Sequence, residues 1–120
     1  MGFDFVEPPE VELEVGRAKR PGQRRPVPFV RLASFQSRAR LRDGVQQGME
    51  GLSLVMLDLD YDGEVFDMDA VCFAQDLVDD DLTVWLDADA MGETVMVVLT
   101  DIYGNEARRV LARSQFGGRR

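Results

Sequence analysis

Within residues 58–69 the chain carries Asp58, Asp60, Asp62, Asp67 and Asp69, with Gly63 at the sixth position of that twelve-residue stretch. Carboxylates at close intervals around a glycine suit a hard cation such as calcium. Their oxygens replace its water, and the glycine permits the sharp turn. Residues 17–26, Arg-Ala-Lys-Arg-Pro-Gly-Gln-Arg-Arg-Pro, offer the opposite chemistry. Arg17, Lys19, Arg20, Arg24 and Arg25 form an arm that suits phosphate or carboxylate oxygens, because a guanidinium fork pairs with either.

Other chemistries lack their parts. Histidine is absent and Cys72 is the sole cysteine. That removes the commonest general base, the Ser-His and Cys-His nucleophile pairs and the usual zinc ligand sets. No glycine-rich phosphate loop of the G-x-G-x-x-G or G-x-x-x-x-G-K-[ST] kind occurs. The acidic clusters 79–81 and 87–89 read as solvated turn formers rather than acid–base pairs. The expectation is a domain with no catalytic residues, not an enzyme by itself.

A net charge of -8 hides a segregation. From Arg17 to Arg42 there are nine basic residues and no acid; from Asp43 to Glu106 there are seventeen acids and no base. The basic stretch reads as a phosphate-contacting arm, or as a segment folded against the domain's own carboxylates.

The elements that hold these residues read mainly as strands. Residues 1–10, with Pro8 and Pro9, form an extended lead-in. Val11 to Val15 alternates apolar and acidic with period two. Residues 16–28 hold Pro21, Gly22, Pro26 and Pro28 and read as a basic, mobile loop. Phe29 to Phe35 and Arg38 to Arg42 read as strands, and the glycines of 43–51 mark a connection. Leu52–Tyr61 and Glu64–Phe73 flank Asp62-Gly63, a strong signal for a two-residue hairpin turn. Its register sets Leu59 opposite Phe66, Leu57 opposite Met68 and, at a cost, Asp58 opposite Asp67. Leu82–Leu86 and Thr94–Leu99, the latter a run that reads as buried on both faces, are further strands. A second turn at Gly104-Asn105 sets Asp101 opposite Arg108 and Leu99 opposite Val110.

The predicted architecture is an antiparallel β-sandwich, with the immunoglobulin-like kind among its candidates and at most one short helix, around 69–78. One β-rich domain spans 11–114, and 115–120 form a frayed tail. Phe29, Phe35, Phe66, Phe73 and Trp85 fall at strand positions, where core packing outweighs base stacking. Cys72, in the run Ala70–Phe73, reads as a buried structural thiol. A lone cysteine, an acidic N-terminal segment without an apolar run, and short apolar stretches throughout lead to the expectation of a cytoplasmic protein that enters no membrane.

The 58–69 pattern resembles an EF-hand calcium loop, and Asp69 at its twelfth position resembles the dockerin variety. It departs from the EF-hand in its flank, because 52–57 reads as strand and not helix. Two longer stretches, 54–74 around Asp58-Leu-Asp-Tyr-Asp-Gly-Glu-Val-Phe66 and 95–108 around Thr100-Asp-Ile-Tyr-Gly-Asn105, resemble the C-terminal region of adenine-specific DNA methyltransferases of restriction-modification type. That family's Asp-Pro-Pro-Tyr or Asn-Pro-Pro-Tyr motif and its Phe-x-Gly-x-Gly loop are absent. The resemblance therefore implies an accessory domain without methyl-transfer residues.

Three functions follow as expectations. The first is a non-catalytic accessory or interaction domain of a DNA-modification system, bound to a protein partner, with DNA contacted through the basic 17–42 segment. The second is a calcium-binding β module using the 58–69 loop; the third is a purely structural sandwich. The calcium reading requires a calorimetric binding isotherm that Asp58→Ala abolishes, and a flat titration at millimolar calcium would exclude it.

Overall fold

The computed structural model describes residues 9–36 and 51–117. The strand expected at 38–42, the connection 43–50 and most of the lead-in lie outside these residues. The described chain is mainly β, as two antiparallel sheets and one short helix. The elements in order are β1 (Glu10–Ala18), β2 (Val27–Gln36), β3 (Leu52–Asp58), β4 (Ala70–Phe73), α1 (Ala74–Asp79), β5 (Thr83–Trp85), β6 (Thr94–Asp101) and β7 (Glu106–Ala112). One sheet has the order β1-β2-β5, the other β4-β3-β6-β7. The chain crosses between sheets after β2, α1 and β5, so each sheet is completed by distant segments.

Alternation explains which faces meet. On β6, Val95, Val97 and Leu99 turn toward the core, as do Val55 and Leu57 on β3. Val30 and Leu32 of β2 and Val84 of β5 face them from the other sheet, and Leu77 of α1 joins the same cluster. Val95, Val97 and Leu57 have no exposed surface. The opposite face of β6, with Met96 and Val98, is buried as well, which matches a run apolar on both faces.

Both expected hairpins pair in a different register. Leu57 lies opposite Ala70 and Val55 opposite Cys72, two residues beyond the expected partners. Asp62-Gly63 therefore sits inside a wide loop, 59–69, instead of closing a tight turn. Carboxylates cause the shift. Asp58 is buried and accepts the Asp60 N–H at 3.1 Å and the Asp67 N–H at 2.8 Å, while Asp69 accepts the Leu59 N–H at 2.8 Å. The expected register would set Asp58 and Asp67 face to face; here amides compensate one carboxylate and solvent surrounds the other.

At the second turn Leu99 pairs with Ala107 and Val98 with Arg108, so the expected Asp101–Arg108 pair does not form. Asp101, almost fully buried, accepts N–H bonds from Tyr103 (2.9 Å) and Asn105 (2.8 Å) and one from Asn105 Nδ2 (3.3 Å). Gly104 takes φ of 92°, the left-handed conformation that this closure requires. Arg108 instead meets Glu106 at 3.3 Å, an exposed pair of small worth.

The C-terminal part is better anchored than expected. Residues Arg113–Phe116 form a 3₁₀ turn, and Phe116 is fully buried. Arg113 donates to the Met91 carbonyl at 2.6 Å, tying this turn to the β5–β6 connection. The helix α1 ends where Asp81 and Leu82 adopt positive φ, 55° and 58°, returning the chain to β5.

Asp101→Ala is expected to leave the Tyr103 and Asn105 amides unpaired and to lower unfolding stability by about 1–3 kcal/mol. Asp101→Asn, which keeps an acceptor, is expected to lose less. Urea denaturation of both variants reads the difference; equal stability to the parent would show that the carboxylate does not hold this turn.

Candidate functional site

The basic arm is a hairpin tip, shorter than the expected 16–28 loop. β1 continues to Ala18 and β2 begins at Val27, with Arg17 paired opposite Pro28. Between them Arg20-Pro21-Gly22-Gln23 makes a turn closed by the Gln23 N–H donating to the Arg20 carbonyl at 2.9 Å. Proline presets φ at the second position and Gly22 takes φ of 87° at the third, the requirements of a type II turn. Two residues of an apparently structureless stretch thus fix where its arginines stand.

The pairing between β2 and β5 brings an aromatic residue to the arm. Phe29 lies opposite Trp85 and also opposite Gly16. A Cβ on Gly16 would lie in ordinary contact with the Phe29 ring, at 3.6 Å. Phe29 packs edge-on against Trp85, with ring centroids 5.7 Å apart and planes at 60°. The Arg20 guanidinium lies over the Trp85 ring, 5.5 Å from its centroid. Such a contact is worth about 0.5–1 kcal/mol where water reaches it.

A cleft of about 530 Å³ opens between the arm and residues 85–89, lined by Arg17, Arg20, Arg25, Trp85, Asp87 and Asp89 among others. A smaller hollow of about 200 Å³ shares Arg20 and Trp85 and reaches Cys72, Asp76 and Asp80. Strand alternation puts Arg17 on the same face as Leu13 and Val15, so its stem lies partly buried at the cleft. Its Nε is shielded from solvent and has no hydrogen-bond partner among the described residues. Asp87 uses one oxygen, Oδ1, to accept the Asp89 N–H at 3.0 Å.

The electrostatics of the arm differ from those of a segment folded onto its own acids. Among the described residues, Arg31 pairs with Glu14 at 3.0 Å and Asp81 at 3.6 Å. Arg17, Lys19, Arg20, Arg24 and Arg25 make no ion pair with any described acid. Arg38, Arg40 and Arg42 lie outside the described residues. Within the described fold the arm's cations thus make no direct ion pair.

The acids of 58–69 have different duties. Asp58 and Asp69 accept loop amides, as above, and Asp60 and Asp67 are exposed. Asp62 accepts the Glu64 and Val65 N–H groups at 2.8 and 3.0 Å, bonds that hold its carboxyl below the usual carboxylate range. A lowered pKa favours the folded loop above the ordinary aspartate range, and that support is lost as pH falls through the lowered value. Among the described residues no three Asp, Glu or Cys side chains come together as a metal-holding group.

Trp85, Asp87 and Asp89 were not grouped with the arm by the sequence. Trp85 read as a core residue, and only the β2–β5 register places it beside residues sixty positions earlier. Phe73, expected inside, is 54% exposed on β4, whereas Phe35 is buried as expected. No helix among the described residues is long and apolar enough to cross a membrane. No protein-family model, curated protein or solved structure matches the chain.

Cys72 packs half-buried against the core. Burial first, then the Asp76 and Asp80 charges, push its thiol above the ordinary range. The thiolate is the reactive form. Alkylation of the folded protein should therefore rise at higher pH than alkylation of the urea-unfolded chain. Coincident pH–rate profiles would show that neither burial nor the two aspartates act on the thiol.

Proposed function

We propose that this chain is a non-catalytic accessory and interaction domain that contacts nucleic acid through the β1–β2 arm. The observation that carries the reading is the unpaired state of the arm. Five cations held at a hairpin tip, without ion-pair partners among the described residues, are a ready counterion for phosphates. The net charge of -8 opposes diffuse attraction of a polyanion, so contact would concentrate at this tip.

Two further features support the wider setting. The strand order β1-β2-β5 and β4-β3-β6-β7 suits a sandwich of the immunoglobulin-like kind, read as strands A-B-E and C′-C-F-G. Association with a DNA-modification system rests on the resemblance of 54–74 and 95–108 to the C-terminal region of adenine-specific methyltransferases. These stretches form β3 with its loop and β4, and β6 with its turn and the start of β7. In such a setting a protein partner performs the chemistry and this domain supplies contact.

Fluorescence anisotropy with a mixed-sequence duplex tests the reading. Five phosphate contacts give a salt slope near −4.5 and a loss of roughly 500-fold in affinity between ~50 and ~200 mM salt. Replacing Arg17, Lys19, Arg20, Arg24 and Arg25 by Ala should abolish binding. Absence of binding at low salt, or binding that ignores the five substitutions, would overturn it and direct the search to protein partners.

A further inference from the structure

We propose that the cleft beside the arm receives an unpaired nucleobase, which makes single-stranded nucleic acid the preferred ligand; this rests on the nucleic-acid reading above. The Arg20 guanidinium, 5.5 Å from the Trp85 centroid, and the indole form one side of the cleft. Each group is planar, and a base can stack on a face that the other leaves open. Phe29 packs against the indole, ring centroids 5.7 Å apart, so Trp85 is braced before ligand arrives.

The cleft's size and lining fit the same ligand. A volume of about 530 Å³ falls within the roughly 300–1,000 Å³ of small-molecule sites. Arg17 and Arg25 line it, and neither makes an ion pair with a described acid. A phosphate oxygen beside the stacked base would pair with either guanidinium. On the opposite side Asp87 Oδ1 is engaged by the Asp89 amide, while Oδ2 has no partner among the described residues. That oxygen would accept from the amino group of adenine, cytosine or guanine. The acids at the cleft, awkward for simple phosphate binding, thereby gain a role as base readers.

A base inside a duplex cannot present its face to a recessed indole, since both its faces are already stacked on neighbours. Duplex DNA would thus meet only the exposed arm. An unpaired nucleotide would meet the arm and the cleft together.

Trp85 is the only tryptophan, so its fluorescence reports on this end of the molecule. The intact chain would be titrated at low salt with a single-stranded oligonucleotide of mixed sequence and with the duplex of the same length. Quenching by the single strand, with about tenfold tighter binding than the duplex, is expected from one stacked base. Arg20→Gln removes a phosphate-facing cation and a stacking plane together, so it should weaken single-strand binding by a larger factor than duplex binding. Salt-sensitive duplex binding without single-strand preference or Trp85 quenching would overturn the cleft proposal and leave the arm reading standing. Failure of both ligands to bind would overturn both.

Discussion

Strand β6 is the member on which the rest of the fold depends. It pairs with β3 on one side and β7 on the other, and its side chains from Val95 to Leu99 are buried on both faces. Every other element is positioned relative to it, directly or through the core. Burial of a Val or Leu side chain contributes about 1.5–3 kcal/mol, so this strand concentrates a large share of the hydrophobic stabilisation. The three-stranded sheet uses the inward faces of Val95, Val97 and Leu99 as its counterpart surface.

Carboxylates shape the ends of that framework. Asp58 and Asp101 are buried, and each accepts backbone N–H groups that the ladders leave unpaired. A charged acceptor makes a stronger hydrogen bond than a neutral carbonyl. Two turns that sequence rules assign to short two-residue closures are consequently reorganised around a side chain. The acidic character of the chain is partly structural, because several of its aspartates act as fixed acceptors inside loops.

The basic arm follows the reverse logic. Its cations find no ion-pair partners in the described fold, although the chain carries twenty-two acids. A type II turn holds them at one end of the smaller sheet, and Trp85 arrives beside them through the β2–β5 register. The framework is therefore connected to the candidate site through one short strand, Thr83–Trp85, which supplies an aromatic face next to cations. That juxtaposition distinguishes this end of the molecule from a merely charged surface.

Local chemistry in the sequence determined much of this protein. Period-two alternation marked Val11–Val15, the doubly apolar run marked β6, and the absence of histidine narrowed the available chemistry. The two-sheet β architecture followed from those signals, and so did the cations of the arm as a group. Tertiary structure decided the registers, the burial of Asp58 and Asp101, the anchoring of Phe116 and the meeting of Trp85 with Arg20. These depend on which carboxylate captures which amide and on which strands cross between sheets. Such choices are made by competition among contacts distant along the chain, and no local spacing records their outcome.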